Sequence, residues 1–351
     1  MNTTPKVSII VGCYNVAKWL QKGRLNDIYN QTYSNWELIL VDDGSTDDTP
    51  VLLDAEAAKD ERVKVIHKEN GGLGSARNAG MDLATGDWIW SVDVDDNVDI
   101  DCIEYCVKEA ERRQVDVLMF GFYAITPHLG TKETIQLQET VINTRQELRD
   151  AYLDSILFVP NGNGFFWNKF YRRSFIEEHH LRFADQRIQQ DEYFNLKVYE
   201  HLERCYISPC IFYHYYIYNT GNNRSKFIAN RFENYMSIIH QFRKLQQTWG
   251  ITDERFEDYL QKRLFSDMES CLLFNLSHPA CLWSKNEKAA EIARVLDNKD
   301  VRGAISYNKQ LGLNFEHRLY LSSIESRNLC RIQLALGFFR LLRSIKSKLR
   351  K

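Results

Sequence analysis

The chain has 351 residues, 44% hydrophobic and 26% charged, which is enough to bury a sizeable core and to make roughly two ordinary globular domains. Its 45 basic and 47 acidic residues leave a formal charge of −2, which argues against a general nucleic-acid binder. No apolar stretch approaches the roughly 18–20 residues of a membrane helix, and MNTTPKVSII lacks a signal peptide's long apolar region, so a cytoplasmic protein is expected.

In chain order, VSIIV (7–11) is a continuous apolar run of strand length, the pattern of a strand buried on both faces. A helical pattern over about 17–31 precedes a second such strand, WELILVDD (36–43). STDDTP opens a helix over about 47–60, with capping residues and acids where a helix N-terminus favours them. VKVIH (63–67), a helix over about 74–85, DWIWSV (87–92), a helix over about 99–113 and VDVLMFGFYAI (115–125) continue the alternation. This order predicts a largely parallel, Rossmann-like α/β sheet whose ligands bind beyond the carboxyl ends of its strands. From about residue 226 apolar residues recur at helical spacing and strand patterns stop. The expected organisation is an α/β domain over 1–225 and a helical extension over 226–351. The eight cysteines form no CxxC and no zinc-like spacing, so buried, reduced thiols are expected.

Three polar segments fall at the predicted strand ends. GCYN carries Gly12 and the aromatic Tyr14; DDGSTDD carries Asp42 and Asp43; DVDD carries Asp93, Asp95 and Asp96. DDGSTDD alone is also an ordinary turn composition. At a strand tip, however, a carboxylate can accept a base N–H or ribose hydroxyls, and Tyr14 offers a face for the base to stack on. NGGLGSARNAG (70–80) is not a dinucleotide fingerprint, because Arg77 stands where GxGxxG requires its third glycine. It still suits phosphate, with flexible glycines, a helix N-terminus and Arg77 in the first turn. The clustered carboxylates of DVDD repel one another, so either water solvates them or a cation is expected there.

VSIIVGCYN, QTYSNWELILVDDGSTDDT and GGLGSARNAGMDLATGDWIWSVDVDD together resemble family 2 of the inverting, GT-A-fold glycosyltransferases over about residues 6–100. Weaker likeness resumes at WNKFYRR (167–173) and QQDEYFNLKVYEH (189–201). The resemblance implies transfer of a sugar from a nucleotide donor, most often UDP-linked, to an acceptor hydroxyl. It implies a nucleotide-binding half to about residue 100 and an acceptor half over about 101–225. By the same resemblance Tyr14 stacks on uracil, Asp43 binds its ring N–H, Asp93 contacts the ribose side, and Asp95 with Asp96 holds Mn²⁺ or Mg²⁺. Family members commonly have proline where Gly12 stands; glycine keeps the backbone free to approach the base. Inversion needs a base for the acceptor proton. The family's Glu-Asp pair corresponds to Gln190 and Asp191, which makes Asp191 the base, with Glu192 the rival and a plain acidic helix start the simpler account.

Trp167 is placed to stack on a sugar and Lys169 to meet phosphate or a carboxylate, although core packing explains FFW equally well. His214 is either a further metal ligand or packed core, and Arg224 or Ser225 can close over the diphosphate. The end, 329–351, sets Leu334, Phe338, Leu341, Leu342, Ile345 and Leu349 at helical spacing beside Arg340, Arg343, Lys346, Lys348, Arg350 and Lys351. It reads as an amphipathic helix for peripheral contact with an anionic membrane, or as a core-docked helix with a basic tail. The resemblance suits bacterial surface-polysaccharide or glycoconjugate synthesis on a saccharide or lipid-linked saccharide acceptor at the inner face of the cell membrane. A nucleotidyltransferase and a non-catalytic sugar-nucleotide-binding protein are the alternatives.

Overall fold

The computed structural model describes residues 4–159, 164–218 and 226–338. Arg224, Ser225 and the basic segment 339–351 lie outside them. The chain divides into two compact units, Met1–Thr220 and Gly221–Lys351.

The first unit is built on one sheet. Its leading strands are β1 (Val7–Cys13), β2 (Trp36–Asp42), β3 (Val63–His67) and β4 (Trp88–Ser91). They pair in parallel in the order β3-β2-β1-β4, as continuous apolar runs require when helices cover both faces. The helix expected over 17–31 is two single turns, α1 (Ala17–Leu20) and α2 (Asn26–Tyr29), because Gly23 adopts φ +68° between them. α3 (Thr49–Ala57) and α4 (Leu73–Leu83) make the next crossovers. After β5 (Asn97–Val98), α5 (Cys102–Arg113) and β6 (Val117–Thr126) complete the run anticipated from the sequence.

Beyond β6 the sheet is mixed rather than largely parallel. β7 (Thr131–Ile135) and β8 (Thr140–Ile142) are short antiparallel edge additions, followed by α6 (Arg145–Tyr152). β9 (Lys169–Arg172) runs antiparallel between β4 and β6 and leads into α7 (Arg173–Glu178). α8 (Gln190–His201) then returns the chain to β10 (Cys205–Tyr216), which pairs parallel to β6 and antiparallel to β5. The β10 register shifts between Ile207 and Ile211, where Pro209 has no N–H to give the ladder. Inserting β9 seats the Trp90 ring 5.0 Å from Phe170, and Trp36, Trp88, Trp90 and Trp167 are all fully buried in this core.

Glu37 of β2 is a buried acid with a complete set of donors. It accepts from Lys6 at 3.0 Å, Lys64 at 2.8 Å, Ser8 at 2.6 Å and the Thr85 N–H at 2.7 Å, tying β1, β2, β3 and the turn before β4 together.

The second unit is helical in its described residues: α9 (Arg231–Trp249), α10 (Glu254–Glu269), α11 (Lys285–Asp297), α12 (Lys299–Leu311) and α13 (Phe315–Glu325), then helix again over 329–338. Helix 329–338 buries Ile332 and Leu336 but leaves Leu334 74% exposed. Among the described residues no helix is long and apolar enough to cross a membrane. Cys330 is exposed, whereas Cys13, Cys102, Cys106, Cys205, Cys271 and Cys281 are buried and free.

Candidate active site

The carboxyl ends of β1, β2 and β4 meet the N-terminus of α8. Tyr14, just past β1, leaves its ring 48% exposed, as a base-stacking face requires. Gly12 has a packing role as well. A Cβ there would lie 2.7 Å from Leu73 Cδ1 and 3.5 Å from Ala76 Cβ, so its lack of a side chain lets α4 approach β1.

Asp42 and Asp43 are both buried at the β2 tip. Asp42 Oδ1 accepts the Ser45 N–H at 2.9 Å and its Oδ2 pairs with His67 Nδ1 at 3.1 Å, so it organises the turn. Asp43 accepts the N–H groups of Gly71 and Gly72 at 2.9 and 2.6 Å, and Lys68 Nζ at 2.9 Å. It therefore grips the glycine loop, where Gly72 sits at φ +88° and opens α4. A carboxylate offers about four acceptor positions, and these three donors take three of them.

Arg77 departs most from expectation. Its side chain is fully buried and carries the two central carboxylates instead of lying open to phosphate. One terminal nitrogen is 3.0 Å from Asp93 Oδ1 and the other 2.5 Å from Asp191 Oδ1. Burial and the Asp191 charge push the Asp93 carboxyl up, with Arg77 opposing both. The Asp93 N–H donates to the Tyr213 hydroxyl at 3.0 Å.

Asp95 and Asp96 follow. Asp96 is 2% exposed; its Oδ1 accepts the Tyr216 N–H at 2.7 Å, the Tyr213 hydroxyl interacts with its side chain, and among the described residues no donor meets hydrogen-bond geometry at its Oδ2. A buried carboxylate oxygen without a partner is rare. Burial and the charges of Asp95 and Asp93 hold Asp96 well above the usual carboxylate range, and burial with Asp93 pushes Asp95 up to about 6. The pair is short of positive charge, and hard carboxylate oxygens suit a divalent cation that shares substrate phosphates and water. Among the described residues no group of three or more His, Cys, Asp or Glu side chains forms a protein-only metal cage.

Asp191 lies in the first turn of α8. Its Oδ2 accepts the Phe166 N–H at 3.0 Å, so α4 and the irregular segment leading into β9 hold the carboxylate from two sides. Glu192 is buried in the same turn. Three other expectations change. Trp167 is 1% exposed and stacks on Tyr213 with centroids 4.1 Å apart, so it packs the core and presents no face to a sugar. Lys169 is fully buried and donates to the Phe165 carbonyl at 2.5 Å and to Asn168 Oδ1 at 2.8 Å, so it is engaged within the protein. His214 Nε2 pairs with Asp99 Oδ1 at 2.9 Å, so this ring nitrogen is already engaged away from Asp95 and Asp96.

Residues that sequence reasoning missed include Asn195 and Arg24. Asn195 stands one helical turn after Asp191, on the same face, which is the spacing that could have drawn attention to it. Arg24 lies over the rings of Trp19 and Tyr216 at 5.5 and 5.2 Å, and its charge opposes the rise of Asp95.

The family model described as Glycosyl transferase family 2 matches residues 8–179, the stretch that supplies every strand end described above. Residues 8–179 therefore match a glycosyl transferase family 2 domain. The family 2 match extends to curated relatives. The putative glycosyltransferase EpsH of Bacillus subtilis (strain 168) is 33% identical over 218 residues, 61% of this chain and 62% of that protein. The uncharacterized glycosyltransferase EpsJ of the same organism is 35% identical over 203 residues, 57% of this chain and 58% of that one. The matched segment thus spans about three fifths of the length of these relatives. Among solved structures, S. aureus TarS 1–349 in complex with UDP-GlcNAc superposes with a TM-score of 0.61 at 19% identity, covering 96% of this chain and 92% of that one. The mannosyltransferase PcManGT of Pyrobaculum calidifontis, in complex with GDP-Man and Mn²⁺, gives 0.50 at 17% identity, covering 95% and 88%. The fold of this chain is GT-A with a C-terminal helical extension.

Proposed function

We propose that the protein is an inverting glycosyltransferase that moves a sugar from a nucleoside-diphosphate donor, UDP-linked, to an acceptor hydroxyl. The observation that carries this reading is the meeting of Asp93 and Asp191 across Arg77: two acids 98 positions apart share one guanidinium beside the unpaired Asp96 oxygen. Structural neighbours crystallised with UDP-GlcNAc and with GDP-Man and Mn²⁺ support the donor class and the metal.

Tyr14 stacks on the base, the remaining acceptor position of Asp43 takes its ring N–H, and Asp93 meets the ribose side. Asp95 and Asp96 would hold Mn²⁺ or Mg²⁺, which neutralises charge on the diphosphate and so favours its departure. Asp191 takes the acceptor hydroxyl proton as the oxygen attacks the anomeric carbon. Arg77 and the Phe166 N–H occupy one position on each Asp191 oxygen, which fixes the carboxylate's direction and leaves its other positions for that proton. Burial of Glu192 favours Asp191 over its neighbour.

Relatives named hyaluronan synthase and chondroitin synthase support a saccharide acceptor; a lipid-linked form of it at the inner face of the membrane, met through the basic C-terminal end, is part of the same proposal. The test is UDP release from a panel of UDP-sugars with Mn²⁺, comparing native protein with Asp191→Asn. Turnover should fall by ~10²–10⁴-fold with donor affinity unchanged. A mild Asp191→Asn beside a crippling Glu192→Gln would reassign the base.

A further inference from the structure

The Phe165–Phe166 peptide has both polar ends engaged. Its carbonyl accepts from Lys169 Nζ at 2.5 Å and Asn195 Nδ2 at 2.9 Å, while its N–H donates to Asp191 Oδ2 at 3.0 Å. Both donors are fixed. Lys169 and Asn195 are fully buried, and the Tyr171 hydroxyl holds Asn195 by donating to its Oδ1 at 2.7 Å. A buried ammonium is costly to desolvate, and burial pushes Lys169 down to about 7 against the pull of the Asp191 charge. Two donors on one carbonyl polarise the amide and strengthen the N–H at its far end.

We propose that Lys169, together with Asn195, is a positioning residue for Asp191, acting through the Phe165–Phe166 peptide to aim and strengthen the N–H that holds the carboxylate. The proposal rests on Asp191 as the base, yet the relay is measurable without turnover. The charged and titratable groups facing Asp191 are Arg77 of α4, Asp93 across it, and Lys169 and Tyr171 of β9; Glu192 is its neighbour in α8. Of these, only Lys169 also bonds the peptide whose N–H reaches Asp191. Replacing Lys169 by methionine keeps the bulk and removes the donor. The weakened N–H then holds and aims the carboxylate less firmly.

The full-length chain labelled with carbonyl-¹³C, ¹⁵N phenylalanine contains two Phe–Phe peptides, 165–166 and 338–339. A carbonyl-filtered amide NMR spectrum therefore reports two N–H groups, and the Phe166 signal is the one lost in Phe166→Leu. In the native protein this signal should lie downfield of its position in Asp191→Asn, which loses the charged acceptor. Lys169→Met should move it upfield. In turnover, kcat should fall roughly 10–100-fold, the size seen when the partner behind a functional ligand is removed, with the donor KM near native. An unmoved Phe166 signal in Lys169→Met that keeps a native thermal transition overturns the proposal. If Lys169→Met does not fold, Asn195→Leu removes the other donor, and an unmoved signal there overturns it equally. If the relay responds while Asp191→Asn turns over normally, the base assignment fails and the relay stands.

Discussion

Replacing Arg77 by methionine keeps most of the side-chain volume and removes the cation that Asp93 and Asp191 share. The guanidinium is fully buried, 2.5 Å from one carboxylate and 3.0 Å from the other, and lies 5.3 and 5.5 Å over the Phe166 and Phe183 rings. Charge-assisted hydrogen bonds contribute ~1.5–3 kcal/mol each, and removing one partner of a buried ion pair costs ~3–5 kcal/mol. Asp93 and Asp191 retain 28% and 19% of their side-chain exposure, so water offsets part of the loss. The lower end, about 3 kcal/mol, is therefore expected from urea unfolding at pH 7.5. The cause is separable from packing by a double-mutant cycle. Asp191→Asn should cost less on the Arg77→Met background than on the native one, with a coupling of ~1–3 kcal/mol. A loss below about 1 kcal/mol, or strict additivity, would refute the shared-cation account.

Glu37 supplies a pH test of the fold. Its burial would raise the carboxyl, but hydrogen bonds from Lys64, Ser8 and Thr85 outweigh that and hold it well below the usual range. With the folded value below the unfolded one, its stabilisation is present above about pH 4.5 and is lost as pH falls further. Glu37→Gln should accordingly lose about 3 kcal/mol at pH 7 and flatten the acid limb of a Tm-against-pH curve; parallel curves would show the cluster to be inert. Asp95→Ala should abolish the Mn²⁺-dependent share of UDP affinity in calorimetry while leaving metal-free binding near native, and an unchanged manganese titration would count against the metal assignment. Deleting 339–351, beyond the docked Ile332 and Leu336, should release the protein from anionic liposomes at low salt and spare UDP-sugar hydrolysis. Equal liposome binding by the truncated chain would place the contact elsewhere.

Much of the first unit is legible in the sequence because the signals are local. Continuous apolar runs mark β1, β2 and β4, the turn residues of DDGSTDD follow β2 and those of NGG follow β3, and parallel crossovers put the polar segments at one sheet edge. The same locality explains what was misread. β9 has four residues and β10 contains Pro209, so neither carries a strong strand pattern, and the mixed half of the sheet follows from pairings made across the chain. Charge and ring type are visible in a sequence, but burial and partner are not. Arg77 and Lys169 look like ligands for anions from outside, and Trp167 like a surface for a sugar. Folding brings Asp191 to Arg77 across 114 residues and closes β6, β9 and β10 around Lys169 and Trp167. Once those positions lose water, each polar group must take the nearest complement within the protein, and that choice belongs to the tertiary structure.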